Sequence, residues 1–85
     1  MKTAWLIKQG LRLGAKAALY ELEPPLRGCA YVVVDTYALA DGSGELTKIY
    51  KASVTAEVKS WRPLATEYGT DHGAALASLG YEVSA

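Results

Sequence analysis

The stretch "CAYVVVDTYALADGSGELTKIYKA", from Cys29 to Ala52, gives the clearest indication of the fold. Two runs rich in β-branched and aromatic residues flank "ADGSGE", whose Asp, Gly and Ser residues favour a tight turn. Two such runs joined by such a turn are typical of a β-hairpin. The sequence therefore predicts a hairpin over 29–52.

The segments on either side of this hairpin also have strand character. "VTAEVKSW", from Val54 to Trp61, alternates apolar and polar residues and predicts a strand with one buried face. "ALYELE" at 18–23 is β-like, and we expect it to end at "EPPLRG" because two prolines interrupt a ladder. The N-terminal "TAWLIKQ" fits a strand or a helix. We predict a strand and then a loop, since Gly10 and Gly14 would each cost a helix about 1 kcal/mol.

The C-terminal region predicts a helix at about 71–79. Thr70 is a suitable N-cap, Asp71 falls in the first turn, and Gly80 is placed to adopt the left-handed conformation after the last turn. "YEV" then predicts a short edge strand. The expected fold is α+β: an antiparallel sheet of four to five strands (hairpin 29–52, strand 54–61), with one C-terminal helix on one face, in a single small domain at 1–85.

Composition excludes several classes of function. The 85 residues carry nine basic and nine acidic side chains, so no net field attracts the chain to nucleic acid. The longest apolar run, "CAYVVV", is too short to span a bilayer, and no membrane partner is expected. A single cysteine cannot form an internal disulfide, so a reducing cytoplasm is the expected location.

The basic residues are unevenly distributed. Lys2, Lys8, Arg12 and Lys16 precede the first acidic residue and are candidates for contact with phosphate or an acidic partner. Trp5 is the single aromatic residue among them and does not make a stacking platform, so we favour a solvated edge. Nucleic-acid or nucleotide binding through this segment remains the alternative function.

The only histidine, His72, follows Asp71 directly. Adjacent helical residues point about 100° apart and do not form an oriented carboxylate–imidazole pair, so we interpret His72 as a histidine at the margin of the core. Cys29 is interpreted as a small packed residue. One histidine and one cysteine do not make a structural zinc site, and no metal, cofactor or enzymatic activity is predicted.

The aromatic residues favour a binding surface. The chain has six Tyr and two Trp but no Phe, and such rings with polar tips suit half-wet interfaces. Tyr31, Tyr37 and Trp61, with Arg62, are the candidate residues on a sheet face away from the helix. The equal alternative is that the N-terminal segment covers this face. A protein partner is expected, and a second copy of the chain is one candidate for it.

The blocks "LYELEPPLRGCAYVVVDTYA", "TKIYKA" and "GTDHGAALASLGYEV" resemble short uncharacterised proteins of actinobacterial bacteriophages over 19–83. The resemblance implies a non-enzymatic accessory protein in the bacterial host cell, one that binds and modulates or inhibits a host protein, which could belong to a defence system. It implies no catalytic residues. A minor virion component is a further alternative.

Overall fold

The computed structural model describes residues 2–11 and 14–84. Its strands are β1 (Thr3–Leu11), β2 (Gly14–Leu26), β3 (Cys29–Ala38), β4 (Glu45–Ala52), β5 (Ala65–Tyr68) and β6 (Glu82–Ser84), and its helix is α1 (His72–Ala77). The strands form one curled sheet in the order β5-β4-β3-β2-β1-β6. The chain is mostly β, with one short helix.

The hairpin of β3 and β4 is confirmed. The two strands pair antiparallel from Tyr31 opposite Ala52 to Ala38 opposite Glu45, without a register shift. In the turn, the Asp41 carboxylate accepts from the Ser43 backbone N–H at 2.9 Å. Gly42 has a φ of 73°, a conformation that glycine adopts without steric cost. The Asp and Gly residues of the turn therefore act as the sequence indicates.

The prolines of "EPPLRG" do not end a strand, and that prediction is wrong. β2 runs through Pro24 and Pro25 to Leu26 and turns back at Gly28. Regular pairing with β3 stops at Glu21 and resumes at Leu26. Because proline has no backbone N–H to donate, both prolines occupy the irregular part of this ladder.

The predicted strand at 54–61 is also wrong. Its only ladder contact is a single bridge between Val58 and Ala52. Ser53 holds a tight turn instead: its backbone carbonyl accepts from the Ala56 N–H at 2.9 Å and its hydroxyl from the Glu57 N–H at 3.2 Å. Ala56 has a φ of 69°, which is outside the strand region. Local capping by a serine competes here with sheet pairing.

The sheet has six strands and is mixed, which corrects the expectation of four to five antiparallel strands. β5 lies at one edge, antiparallel to β4, and was absent from the sequence prediction. The predicted N-terminal strand is confirmed as β1, which pairs antiparallel with β2. The predicted C-terminal edge strand is confirmed as β6, which runs parallel to β1 at Thr3, Ala4 and Trp5.

The predicted helix is confirmed but is shorter than 71–79. Its N-cap is Asp71, not Thr70: one carboxylate oxygen accepts from the Gly73 N–H at 2.8 Å and from the Ala74 N–H at 3.2 Å. An aspartate fits this role because its side chain satisfies free amides and its charge suits the positive end of the helix. Gly80 has a φ of 87°, as the sequence predicts.

We expect Asp71→Ala to lower the free energy of unfolding by about 1 kcal/mol, the usual cost of losing a helix N-cap. Thr70→Ala is the matched control, because Thr70 is exposed and makes no cap contact. Urea unfolding of both variants measures the difference. Equal loss in the two variants, or a larger loss for Thr70→Ala, would contradict the assignment of Asp71 as the cap.

The two faces of the sheet have separate hydrophobic clusters. On the face that carries α1, here called the helix face, the cluster contains Ala4, Ala18, Tyr20, Leu22, Val32, Val34, Ile49, Ala75, Leu76 and Tyr81. On the opposite face, here called the open face, Ala17, Leu19, Val33 and Ala52 are buried. Ala56 and Val58 pack on this second cluster, so 53–61 covers part of the open face. Along β3, alternate residues belong to the two clusters, as the pleat requires.

Within 2–11 and 14–84, no helix is long and apolar enough to cross a membrane.

Candidate functional site

The open face carries a row of large side chains at the end of the sheet that includes β5. Tyr37 on β3 lies opposite Leu46 on β4, and Leu46 lies opposite Tyr68 on β5. Residues directly opposite in a ladder project to the same face, so these three side chains form one cross-strand row. Tyr68 is 87% exposed, and Tyr37 and Leu46 are half-buried.

Trp61 lies on the same face beside Tyr50, which is four residues along β4 from Leu46. Its ring packs edge-to-face on the ring of Tyr50, with 5.2 Å between centroids and 68° between planes. Tyr50 is buried and lies opposite Val33 of the open-face cluster. Trp61 nevertheless remains 63% exposed. One edge of the indole is therefore fixed on the sheet, and much of the ring is available for contact.

Lys48 lies on the same face of β4, between Leu46 and Tyr50, and contacts Tyr37. Its ammonium nitrogen lies 5.5 Å from the centroid of the Tyr37 ring, a cation–π distance. The neighbouring Tyr37 hydroxyl raises the pKa of Lys48, and burial raises the pKa of Tyr50. Lys48 is therefore charged and the Tyr50 phenol is neutral at pH 7. We call Tyr37, Lys48, Trp61 and Tyr68 the aromatic surface.

The structure separates the binding residues that the sequence grouped together. Tyr31 lies on the open face, but six residues along β3 from Tyr37, where it packs on the buried cluster with Ala56 and Val58. Arg62 is exposed and follows Trp61 directly. Trp61 packs on Tyr50, which lies opposite Val33, so Trp61 lies between the levels of Tyr31 and Tyr37 along the open face.

The basic residues of the N-terminal segment do not form one patch. Lys2 has its ammonium 5.4 Å from the centroid of the Tyr81 ring, and Lys16 forms an ion pair with Glu45 at 2.9 Å. Lys8 is exposed at a cleft of about 740 Å³ on the open face. Arg12 lies outside the described residues. Two of the three described lysines are therefore already engaged with groups of the chain itself.

His72 lies at the margin of the helix-face cluster, and both of its ring nitrogens have internal partners. Nδ1 is 3.3 Å from the Tyr20 hydroxyl oxygen, and Nε2 is 3.1 Å from Thr36 Oγ1. Burial lowers the pKa of His72, although a hydrogen bond to the Lys16 backbone and the charges of Asp35 and Asp71 act in the opposite direction. The ring is thus a neutral, bonded group at pH 7, which supports the interpretation as a structural histidine.

Cys29 is buried, and its thiol donates to the Tyr31 carbonyl at 2.9 Å. A thiol held in this way packs as a small residue, as the sequence indicates.

In 2–11 and 14–84, no group of three or more His, Cys, Asp or Glu side chains is placed to hold a metal ion.

Sequence reasoning missed Tyr68 and Lys48. "ATEY" is too short to show a period of two, so its register against β4 could not be derived from the sequence. Lys48 alternates with apolar residues in β4 and is typical of a solvated position.

No family model, curated protein or solved structure matches this chain.

Proposed function

We propose that the chain is a non-enzymatic protein-interaction module whose partner binds the aromatic surface. The observation that carries the proposal is Trp61, which is 63% exposed yet fixed against Tyr50 on the open face. A large ring held in one orientation loses little conformational entropy on binding, which is why Trp and Tyr dominate the energetics of interfaces.

The surroundings of Trp61 support the same function. Tyr37 and Tyr68 add two more rings with polar tips, and Lys48 and Arg62 supply positive charge. An apolar centre with a polar rim is the usual anatomy of a protein interface. We therefore expect a partner that presents an apolar group to Trp61 and carboxylates to the two cations.

The alternative functions have less support. An enzyme would need a free acid, base or nucleophile, whereas His72 and Cys29 are engaged in internal hydrogen bonds. A nucleic-acid site would need a cluster of cations, whereas Lys2 and Lys16 contact Tyr81 and Glu45 at separate places. The resemblance to bacteriophage proteins makes a bacterial host protein the expected partner, and a second copy of the chain is another candidate.

The test is a capture experiment from nuclease-treated host lysate, with immobilised wild-type protein and two variants. Trp61→Ala removes the exposed ring that packs on Tyr50. Trp5→Ala is the matched control, because Trp5 is 39% exposed but lies on β1, three strands from β4. We expect a protein that is retained by wild type and by Trp5→Ala but lost by Trp61→Ala.

The other outcomes separate the alternatives. Retention by all three proteins would place the partner elsewhere and refute the proposed surface. In a parallel capture from untreated lysate, material that is retained there but lost after nuclease treatment, and that elutes steeply with salt, would indicate nucleic acid. If only the chain itself were retained, sedimentation of wild type and Trp61→Ala would show whether self-association uses the same surface.

A further inference from the structure

Five polar groups form a continuous series of hydrogen bonds, here called the hydrogen-bond network, which links the start of α1 to three strands. The Tyr20 hydroxyl on β2 lies 3.3 Å from His72 Nδ1, and His72 Nε2 lies 3.1 Å from Thr36 Oγ1 on β3. Thr36 Oγ1 lies 2.7 Å from Thr47 Oγ1 on β4, and the Thr47 hydroxyl donates to the Gly69 carbonyl at 2.8 Å. Thr36 and Thr47 are buried, so water does not substitute freely for these bonds.

The hydrogen positions in the hydrogen-bond network can be assigned by starting from the Gly69 carbonyl. The Gly69 carbonyl can only accept, and the single hydroxyl hydrogen of Thr47 points to it. Thr47 must therefore accept from Thr36, which uses the only hydroxyl hydrogen of Thr36. Thr36 in turn must accept from His72, so Nε2 carries the hydrogen.

A neutral imidazole carries one hydrogen, so Nδ1 is left as an acceptor and the Tyr20 hydroxyl donates to it. We infer that all hydrogen bonds of the network are donated in a single direction, from Tyr20 through His72, Thr36 and Thr47 to Gly69. The Tyr20–His72 bond is then a pH-sensitive latch, a contact between β2 and α1 that is lost when His72 is protonated.

Protonation of His72 affects only the Tyr20 end of the hydrogen-bond network. An imidazolium donates from both nitrogens, so the bond from Nε2 to Thr36 persists. At Nδ1 the acceptor is lost, so the bond that the Tyr20 hydroxyl donates there is lost and its hydrogen needs another acceptor. The contact between β2 and the first residue of α1 is therefore the acid-sensitive one.

The charged groups around His72 determine when the latch opens. Burial of the ring lowers the pKa of His72, and it outweighs a hydrogen bond to the Lys16 backbone and the charges of Asp35 on β3 and Asp71 before the helix, which favour the imidazolium. Lys16 on β2 lies beside the ring at a small cavity, and Glu45 on β4 pairs with Lys16. Glu67 on β5 lies opposite Thr47 and so projects from the same face of the sheet.

The tautomer itself is the first part of the test. In ¹⁵N-labelled protein at pH 7.5, two-bond ¹H–¹⁵N correlations should show His72 Nε2 protonated and Nδ1 unprotonated, as one species. Thr36→Ser should keep this pattern because it keeps a hydroxyl, and Thr36→Val should lose it. A mixture of tautomers, or a protonated Nδ1, in the wild type would overturn the inference.

The second part measures the latch. We expect amide protection factors in α1, which correct for the intrinsic effect of pH on exchange, to fall about fivefold as His72 becomes protonated, the usual effect of losing one neutral hydrogen bond. Tyr20→Phe should show the lowered protection already at pH 7.5 and little further change in acid. Protection that falls equally in wild type and Tyr20→Phe would overturn the latch, while the wild-type tautomer result would stand on its own.

Discussion

Replacing Leu76 with alanine is expected to lower the free energy of unfolding by about 3 kcal/mol, within the range for a buried leucine. Leu76 is fully buried and packs in the helix-face cluster with Val34 and Ile49. The whole stability of a domain of this size is on the order of 4–13 kcal/mol, so the loss is a large fraction of the total.

The effect is large because α1 has no independent stability. A helix of six residues is far below the length at which isolated helices persist in water. Its attachment depends on Ala75 and Leu76 and on the contacts of His72. Urea unfolding followed by circular dichroism measures the change. Val54→Ala is the control, because Val54 is 61% exposed and should change stability by less than about 0.5 kcal/mol. Similar losses in the two variants would contradict the packing of α1.

The double variant Trp61→Ala/Tyr37→Ala is expected to weaken partner binding at least a hundredfold, or about 3 kcal/mol, because central aromatic residues commonly contribute 2 kcal/mol or more each. The free energy of unfolding should fall by much less than the free energy of binding. Trp61 is mostly exposed, and its removal chiefly deletes one aromatic contact with Tyr50. Calorimetric titration of the captured partner measures the affinity.

Two further variants test the extent of the surface. Tyr68→Ala should weaken binding by about tenfold, as expected for an exposed ring at the rim rather than the centre. Trp5→Ala should leave the affinity unchanged within about twofold, since Trp5 lies on β1, three strands from β4. An equal loss in Trp5→Ala and Trp61→Ala would indicate a general effect on folding instead of a local contact.

Local chemistry explains which elements the sequence could predict. The β3–β4 hairpin follows from a turn that Asp41 and Gly42 specify by themselves, and the end of α1 follows from Gly80. Both signals lie within a few residues of the element. The alternating open-face residues of β3 likewise follow from the pleat, which placed Tyr31 and Tyr37 on one face before any pairing was known.

The errors arose where distant contacts or local capping decided the structure. Val54, Ala56 and Val58 alternate like a strand, but Ser53 caps a turn, and Ala56 and Val58 contact the open face as a covering segment. β5 has only four residues and is too short to be recognised without the strand that it pairs with. For the same reason the row from Tyr37 to Tyr68 could not be predicted, since it depends on the register of two ladders.

The most direct test of the aromatic surface is an NMR titration of ¹⁵N-labelled protein with the captured partner. We predict that the Trp61 indole signal and the backbone amides of Tyr37, Lys48 and Tyr68 shift or broaden, while the amides of α1 and the Trp5 indole remain unchanged. Changes confined to α1, or to the Lys8 cleft on β1, would contradict the assignment of the aromatic surface as the binding site.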